Sequence, residues 1–115
     1  MSPCAVAVVS FNTRDLLRGL LQSVRSEAPV ETVVVDNGST DGTAEMIRHE
    51  FPEVRLIVDA SNPGYGAAAN QGVAATSAPY VLLLNGDTRL SPGALAALAD
   101  HLDRHPRAGL AGPRL

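Results

Sequence analysis

The 115-residue chain has no lysine and no tryptophan, one cysteine, and only two phenylalanines and two tyrosines. A lone Cys4 excludes an intramolecular disulfide and any multi-cysteine metal cluster. With aromatics at 3%, the core must be built from Val, Leu, Ile and Ala, and an apolar fraction of 45% supplies them. All nine basic residues are arginines without a cluster, and against twelve acidic residues they leave a formal net charge of −3. That balance argues against nucleic acid or an anionic membrane surface as partner. An anionic ligand would need a bound cation or backbone N–H groups to offset its charge. No stretch approaches the ~18 apolar residues of a membrane span. The N-terminus lacks a basic segment, and the apolar run Ala5–Val9 is too short for a signal peptide, so a cytoplasmic protein is expected.

The length fits one domain, 1–115, and leaves no room for two. Five short apolar runs stand out: Ala5–Val9, Thr32–Val35, Val54–Val58, Tyr80–Leu84 and, more weakly, Ala108–Ala111. They are mostly continuous rather than alternating, which suits parallel strands buried on both faces. Helical stripes lie between them: Leu16, Leu17, Leu20, Leu21 and Val24; then Ala44, Ile47 and Phe51; then Leu95, Leu98, Ala99 and Leu102. A further helix, from about Gly66 to Ala75, is small-sided and can pack close to a sheet. Thr40 or Asp41 is expected to cap the second helix, and Ser91-Pro92 to open the fourth. The pattern is an α/β fold, a Rossmann-like three-layer sandwich with a mainly parallel sheet and right-handed crossovers.

The segments that succeed these runs carry the functional signal. Ser10-Phe11-Asn12 comes after the first and Asp36-Asn37-Gly38-Ser39-Thr40-Asp41-Gly42 after the second. Asp59 through Gly66 comes after the third, and Asn85-Gly86-Asp87-Thr88 after the fourth. In a parallel sheet these loops share the carboxyl edge, where open α/β sheets bind ligands. Each has a plain reading as a turn or helix cap, and Asn85-Gly86 is a hairpin signal. A hairpin is disfavoured because Ser91-Pro92 comes too soon for a returning strand. Asp87 and Asn85 at a strand end offer hard oxygen ligands of the kind Mg2+ or Mn2+ takes when it bridges to phosphates.

These residues resemble the amino-terminal, donor-binding half of GT-A-type inverting glycosyltransferases that use nucleotide-diphosphate sugars (glycosyltransferase family 2), most of all its rhamnosyltransferase-like branch. The resemblance covers essentially the whole chain. It rests on Val8-Val9-Ser10-Phe11-Asn12, Val35 through Thr43, Asn62-Pro63-Gly64-Tyr65-Gly66 with Asn70-Gln71-Gly72, and Leu83 through Thr88. It implies that Ser10 and Asn12 line a nucleoside pocket, that Asp36 contacts the base, and that Asn37 and Asn70 sit nearby. Asn85 and Asp87 take the place of the family's Asp-x-Asp-like motif, with Asp87 the ligand of Mg2+ or Mn2+ beneath the diphosphate. Asn85 in place of Asp supplies one negative charge fewer, and Ala69 stands where the family often has an arginine that contacts phosphate. The implied partners are a nucleotide-diphosphate sugar and a saccharide or lipid-linked glycan acceptor of bacterial cell-envelope polysaccharide synthesis.

By the same resemblance the catalytic base belongs to a carboxyl-terminal half that this chain, ending in Gly112-Pro113-Arg114-Leu115, does not contain. A donor-binding fragment with little or no turnover of its own is therefore expected. So is a homodimer through the sheet edge beside the fourth strand. Two other functions remain open on the residues alone. Gly64-x-Gly66-x-x-Ala69 matches a dinucleotide fingerprint for NAD or FAD, although Asp59 to Pro63 separate it from its strand and Pro63 biases Asn62 toward an extended conformation. A receiver-like regulatory module would need an acidic cluster after the first strand, where Ser10-Phe11-Asn12 stands. His101 with His105 at helical spacing, His49, Cys4, Arg14 and Arg89 all read more simply as surface or core residues.

Overall fold

The computed structural model describes residues 4–62 and 64–104. Strand β1 (Cys4–Ser10) leads to helix α1 (Arg14–Ser26), β2 (Glu31–Asp36), α2 (Thr43–Glu50) and β3 (Arg55–Val58). Helix α3 (Tyr65–Ala74), β4 (Tyr80–Asn85) and α4 (Ala94–Arg104) complete the order. The strands form one sheet in the order β3-β2-β1-β4, and all three ladders are parallel. The expected strand at 108–111, His105 and Pro63 lie outside the described residues.

Alternation along β1 sorts the core into two layers. Cys4, Val6 and Val8 face α1, α2 and α4, packing with Leu17, Leu20, Leu21, Val24, Ile47 and Leu95. Val9, Val33 and Val35 face α3 and meet Ala68 and Ala69. The α1 stripe explains its helix: Leu17, Leu20, Leu21 and Val24 repeat at i, i+3, i+4 and i+7 and are buried. Each fully buried leucine contributes about 1.5–3 kcal/mol. Leu16, at the margin of that arc, is instead 52% exposed. Helix α3 reaches the sheet through small residues. A Cβ on Gly72 would stand 3.2 Å from the Ala7 Cβ and 3.5 Å from Val35 Cγ2.

Burial on both faces holds for β1 and most of β2 but not for β3, whose ends Arg55 and Val58 are exposed. β3 is an edge strand and the cover of α3 lies over β1 and β2. Two helix starts also differ from expectation. Ser91 does not cap α4; its carbonyl accepts the Ala94 N–H in a turn, and Gly93 at φ 81° cannot be helical, so the helix begins after it. The residue at the cap of α2 is Gly42, at φ 86°, with Asp41 assisting from one residue before.

The topology fixes where a ligand can enter. From β1 the chain moves outward one way through α1 and α2, then returns through α3 on the other face to β4. The strand order therefore reverses between β1 and β4, and the loops at their carboxyl ends part into a crevice.

Candidate functional site

Ser10 and Asp36 end neighbouring strands in register, and both side chains are buried. The Asp36 carboxylate closes the next turn: Oδ2 accepts the Ser39 N–H at 3.0 Å and Oδ1 accepts the Ser39 hydroxyl. That hydroxyl oxygen in turn accepts the Asn12 N–H at 2.8 Å, while Asn12 Oδ1 accepts the Thr40 N–H at 2.9 Å. Asn12 thus stitches the first loop to the second, at φ 52°. Only glycine fits at 38, where φ is 89° and a Cβ would stand 3.1 Å from the Ala60 Cα.

Asp41 fixes the same region from the other side. Its Oδ2 accepts the Arg14 N–H at 3.0 Å, at the start of α1, and its Oδ1 accepts the Thr43 N–H at 3.2 Å and the Thr43 hydroxyl, at the start of α2. Burial pushes this carboxyl up, but the Thr43 hydroxyl and the backbone N–H donors outweigh it and hold it below the ordinary value. Asp59 is lowered as well, by the Ser61 hydroxyl, the Gln71 amide and the Ser61 N–H.

After β4 the chain turns at once. The Thr88 N–H and hydroxyl both donate to the Asn85 carbonyl, at 3.2 and 2.7 Å, and the Gly86 N–H donates to the Val9 carbonyl at 2.9 Å. No returning strand succeeds it among the described residues, so the turn is not a hairpin. Gly86 lies so close to the first loop that a Cβ would stand 2.7 Å from Thr13 Oγ1.

A cleft of about 350 Å³ opens between these loops, lined by Val9, Phe11, Thr13, Asn37, Asn62, Gly64, Tyr65, Asn85, Gly86 and Asp87. Of the site residues expected from sequence, Asn37, Asn85 and Asp87 line it. Ser10, Asn12 and Asp36 form the hydrogen-bonded frame behind it, and Asn70 lies exposed on α3 without lining it. The Asp36 carboxylate and Asn12 Oδ1 of the frame are engaged, and the wall is not. The side chains of Asn37, Asn62, Asn85 and Asp87 make no hydrogen bond or ion pair with any described residue. Asn37 is 5% exposed and its Oδ1 is buried without a partner, a state native proteins seldom leave unexplained.

Sequence reasoning does not single out Phe11, Tyr65 or Gly86 as site residues. Phe11 and Tyr65 are 48% and 46% exposed. They are two of only four aromatic residues in the chain, each beside a loop rich in Asn and Gly, which is the signal that marks them.

A second cleft, of about 200 Å³, lies at the opposite edge among Leu21, Arg25, Glu31, Phe51 and Glu53. There Arg25 pairs with Glu53 and stacks 4.5 Å from the Phe51 ring, while Glu31 Oε1 is buried without a hydrogen-bond partner. Arg89 comes just after the Asn-Gly-Asp turn but lays its guanidinium over Gly19 of α1, away from the cleft. Arg14 is likewise engaged, with Asp15 and the Asp41 carbonyl.

The dinucleotide reading fits poorly. Asp59 to Gly64 separate β3 from α3, and neither Gly64 nor Gly66 has any atom that a Cβ would meet within 4 Å, so close approach does not demand glycine there. Asn62, expected to be extended, is left-handed at φ 50°, a conformation asparagine tolerates.

For a cation, the wall supplies one carboxylate, Asp87, with the Asn85 amide two residues before it. No group of three His, Cys, Asp or Glu side chains that could hold a metal occurs among the described residues. The donor set fits Mg2+ or Mn2+ shared with a substrate's phosphates rather than caged by protein alone.

Comparison with known proteins agrees with this geometry. Residues 5–115 match the model of the family described as glycosyl transferase family 2. The chain is 37% identical to an N-acetylglucosaminyl-diphospho-decaprenol L-rhamnosyltransferase of Mycobacterium tuberculosis, over 94% of this chain and 39% of that protein. It therefore spans about 39% of the length of this relative. Among solved structures, residues 1–349 of TarS from S. aureus superpose with a TM-score of 0.77 at 24% identity, covering 99% of this chain and 39% of that one. The same TarS fragment in complex with UDP superposes at 0.78 with 22% identity, covering 99% and 38%.

Proposed function

Since the chain belongs to glycosyl transferase family 2, we propose that it binds the donor for transfer of a sugar, with inversion, from a nucleotide-diphosphate sugar to a saccharide or lipid-linked glycan of the bacterial cell envelope. One observation carries the reading. The cleft at the reversal point between β1 and β4 is walled, among the described residues, by unengaged amides and a single unengaged carboxylate, over a frame in which the Asp36 carboxylate and Asn12 Oδ1 are hydrogen-bonded. UDP in the TarS structure and the rhamnosyltransferase relative support a nucleotide-diphosphate sugar as the ligand class.

In this reading Asp87 and Asn85 hold Mg2+ or Mn2+ together with the diphosphate. The cation neutralises charge that builds on the departing nucleoside diphosphate. No arginine lines the cleft among the described residues, which leaves the cation and backbone N–H groups to meet the phosphates. Ser10, Asn12 and Asp36 keep the first two loops in place, and Asn37 lies on the nucleoside side, with Asn70 exposed on α3 outside the cleft lining. Asp87 is the one carboxylate lining the cleft, and it is committed to the cation. No base for the acceptor hydroxyl's proton is assigned to the described residues lining the cleft, and donor binding is the part of the reaction proposed for this chain. No helix among the described residues is long and apolar enough to cross a membrane, and action on the cytoplasmic side is part of the proposal.

Titration of UDP, GDP, dTDP and NAD+ with and without Mn2+, in the wild type and Asp87→Ala, tests the reading. Nucleoside diphosphate binding that needs Mn2+ and is lost in Asp87→Ala is expected. NAD+ binding indifferent to the metal would overturn it.

A further inference from the structure

We propose that the outer edge of β4 pairs with the β4 edge of a second copy of this chain, antiparallel and about a two-fold axis through Leu82. The sheet ends at β4 on one side, and among the described residues no strand pairs with its outer edge. The Gly86 N–H donates to the Val9 carbonyl of β1. Backbone groups alternate in direction along a strand, so Leu82 and Leu84 bond to β1 while Val81 and Leu83 turn their N–H and C=O groups outward. Unpaired edge groups of this kind template the addition of another strand. The ladder on offer is bounded at both ends. Pro79 before the strand has no N–H to give, and the Asn85 carbonyl is taken by Thr88.

The composition of the edge selects a second copy. Tyr80-Val81-Leu82-Leu83-Leu84-Asn85 contains no charge and no proline, the means by which sheet edges are commonly kept apart. The other edge, β3, is only four residues long and carries an exposed Arg55, so it is blunted on both counts. An uncharged strand can meet its own copy without like-charge repulsion, and a two-fold interface demands that self-complementarity. In the register centred on Leu82, Val81 faces the second copy's Leu83, and Leu83 faces its Val81. Each such pair exchanges both N–H···O bonds, so both outward residues are satisfied at once. The side chains agree. Leu82 and Leu84 are buried in the layer that holds α1 and α4, whereas Val81 and Leu83 on the other face are only half-buried, because α3 lies mainly over β1 and β2. Pairing sets Val81 beside Leu83 on that thinly covered face, with Cβ atoms about 4.5–5.5 Å apart. Antiparallel strands also place the two carboxyl ends at opposite ends of the joined pair, so both clefts stay open whatever they bind.

The test begins with the wild-type chain, by sedimentation equilibrium over a wide concentration range. The apparent mass is expected to double from 12.0 kDa as concentration rises. Amide hydrogen exchange on the same samples should show Val81 and Leu83 gaining protection with the dimer, while Leu82 and Leu84 are protected at every concentration. A charge swap then tests the register. Val81→Lys with Leu83→Lys sets like charges opposite one another, and Val81→Glu with Leu83→Glu does the same. Each double variant should self-associate about tenfold more weakly than the wild type. Mixed together they should recover the dimer, since every facing pair is then of opposite charge. Thermal melts verify folding, and if the variants do not fold, the wild-type exchange pattern decides alone. A wild type that stays at 12.0 kDa throughout overturns the proposal. So does protection at Val81 and Leu83 that ignores concentration, which would mean that the chain covers its own edge. Folded variants that dimerise as tightly as the wild type, or whose mixture recovers nothing, overturn it as well.

Discussion

Replacing Gly86 with alanine is a sharp test of how the cleft is assembled. Gly86 is not at positive φ, so alanine meets no backbone penalty and the effect is one of contact alone. The added Cβ would stand 2.7 Å from Thr13 Oγ1 and 3.4 Å from Ser10 Cβ and Oγ. The first distance is far inside the roughly 3.5 Å at which such atoms attract, while the others are ordinary. Overpacking of this kind costs about 1–3 kcal/mol, or roughly 4–12 °C in Tm for a domain of this size. Thr13→Ala removes the opposing oxygen and forfeits its 3.3 Å hydrogen bond with Ser10, at about 1 kcal/mol. The double variant should therefore be little worse than Thr13→Ala alone, a favourable coupling of about 1 kcal/mol or more in urea melts. Strict additivity of the two losses would refute the claim that this contact seats the β4 turn against the first loop.

Three further outcomes are expected. Gly72→Val should cost about 1–3 kcal/mol in the same melts, because a side chain there forces α3 off Ala7 and Val35. Asp41→Ala should cost about 1–2 kcal/mol, since one carboxylate accepts the first N–H groups of both α1 and α2. Asp41 and Asp59 both have carboxyls lowered from 3.8 by their hydrogen-bond donors. Their contribution is therefore present above about pH 4 and lost as pH falls through their lowered folded-state values, and acid unfolding monitored by circular dichroism should be shallower in Asp59→Asn.

Much of the fold is legible in the sequence because it rests on short-range signals. Continuous Val and Ala runs mark β1 and β2 as buried on both faces, the heptad-like leucines mark α1, and the Ala-Gly composition of α3 marks its close approach to the sheet. The position of the carboxyl-edge loops is a consequence of parallel order alone, and Asn37, Asn85 and Asp87 do line the cleft there. The features that escape are set by contacts far apart in sequence. Asp41 reads as a local cap, but half of its work is on Arg14, 27 residues earlier. Asp36 reads as a ligand contact, yet its carboxylate is taken up by Ser39 and, through it, by Asn12. Arg89 reads as a surface or core residue, and only the packing shows it lying on Gly19. The start of α4 departs from expectation for a local reason, the left-handed Gly93 after an otherwise good Ser-Pro signal.

The most direct test is to map the ligand onto the chain by two-dimensional amide NMR during titration with UDP and Mg2+, then to replace Mg2+ with a trace of Mn2+. Shifts should concentrate at residues 9–13, 36–38, 62–66 and 85–88, and paramagnetic broadening should centre on Asp87. Changes that instead gather around Arg25, Glu31 and Phe51 at the other edge of the sheet, or broadening that spares the β4 turn, would contradict the account.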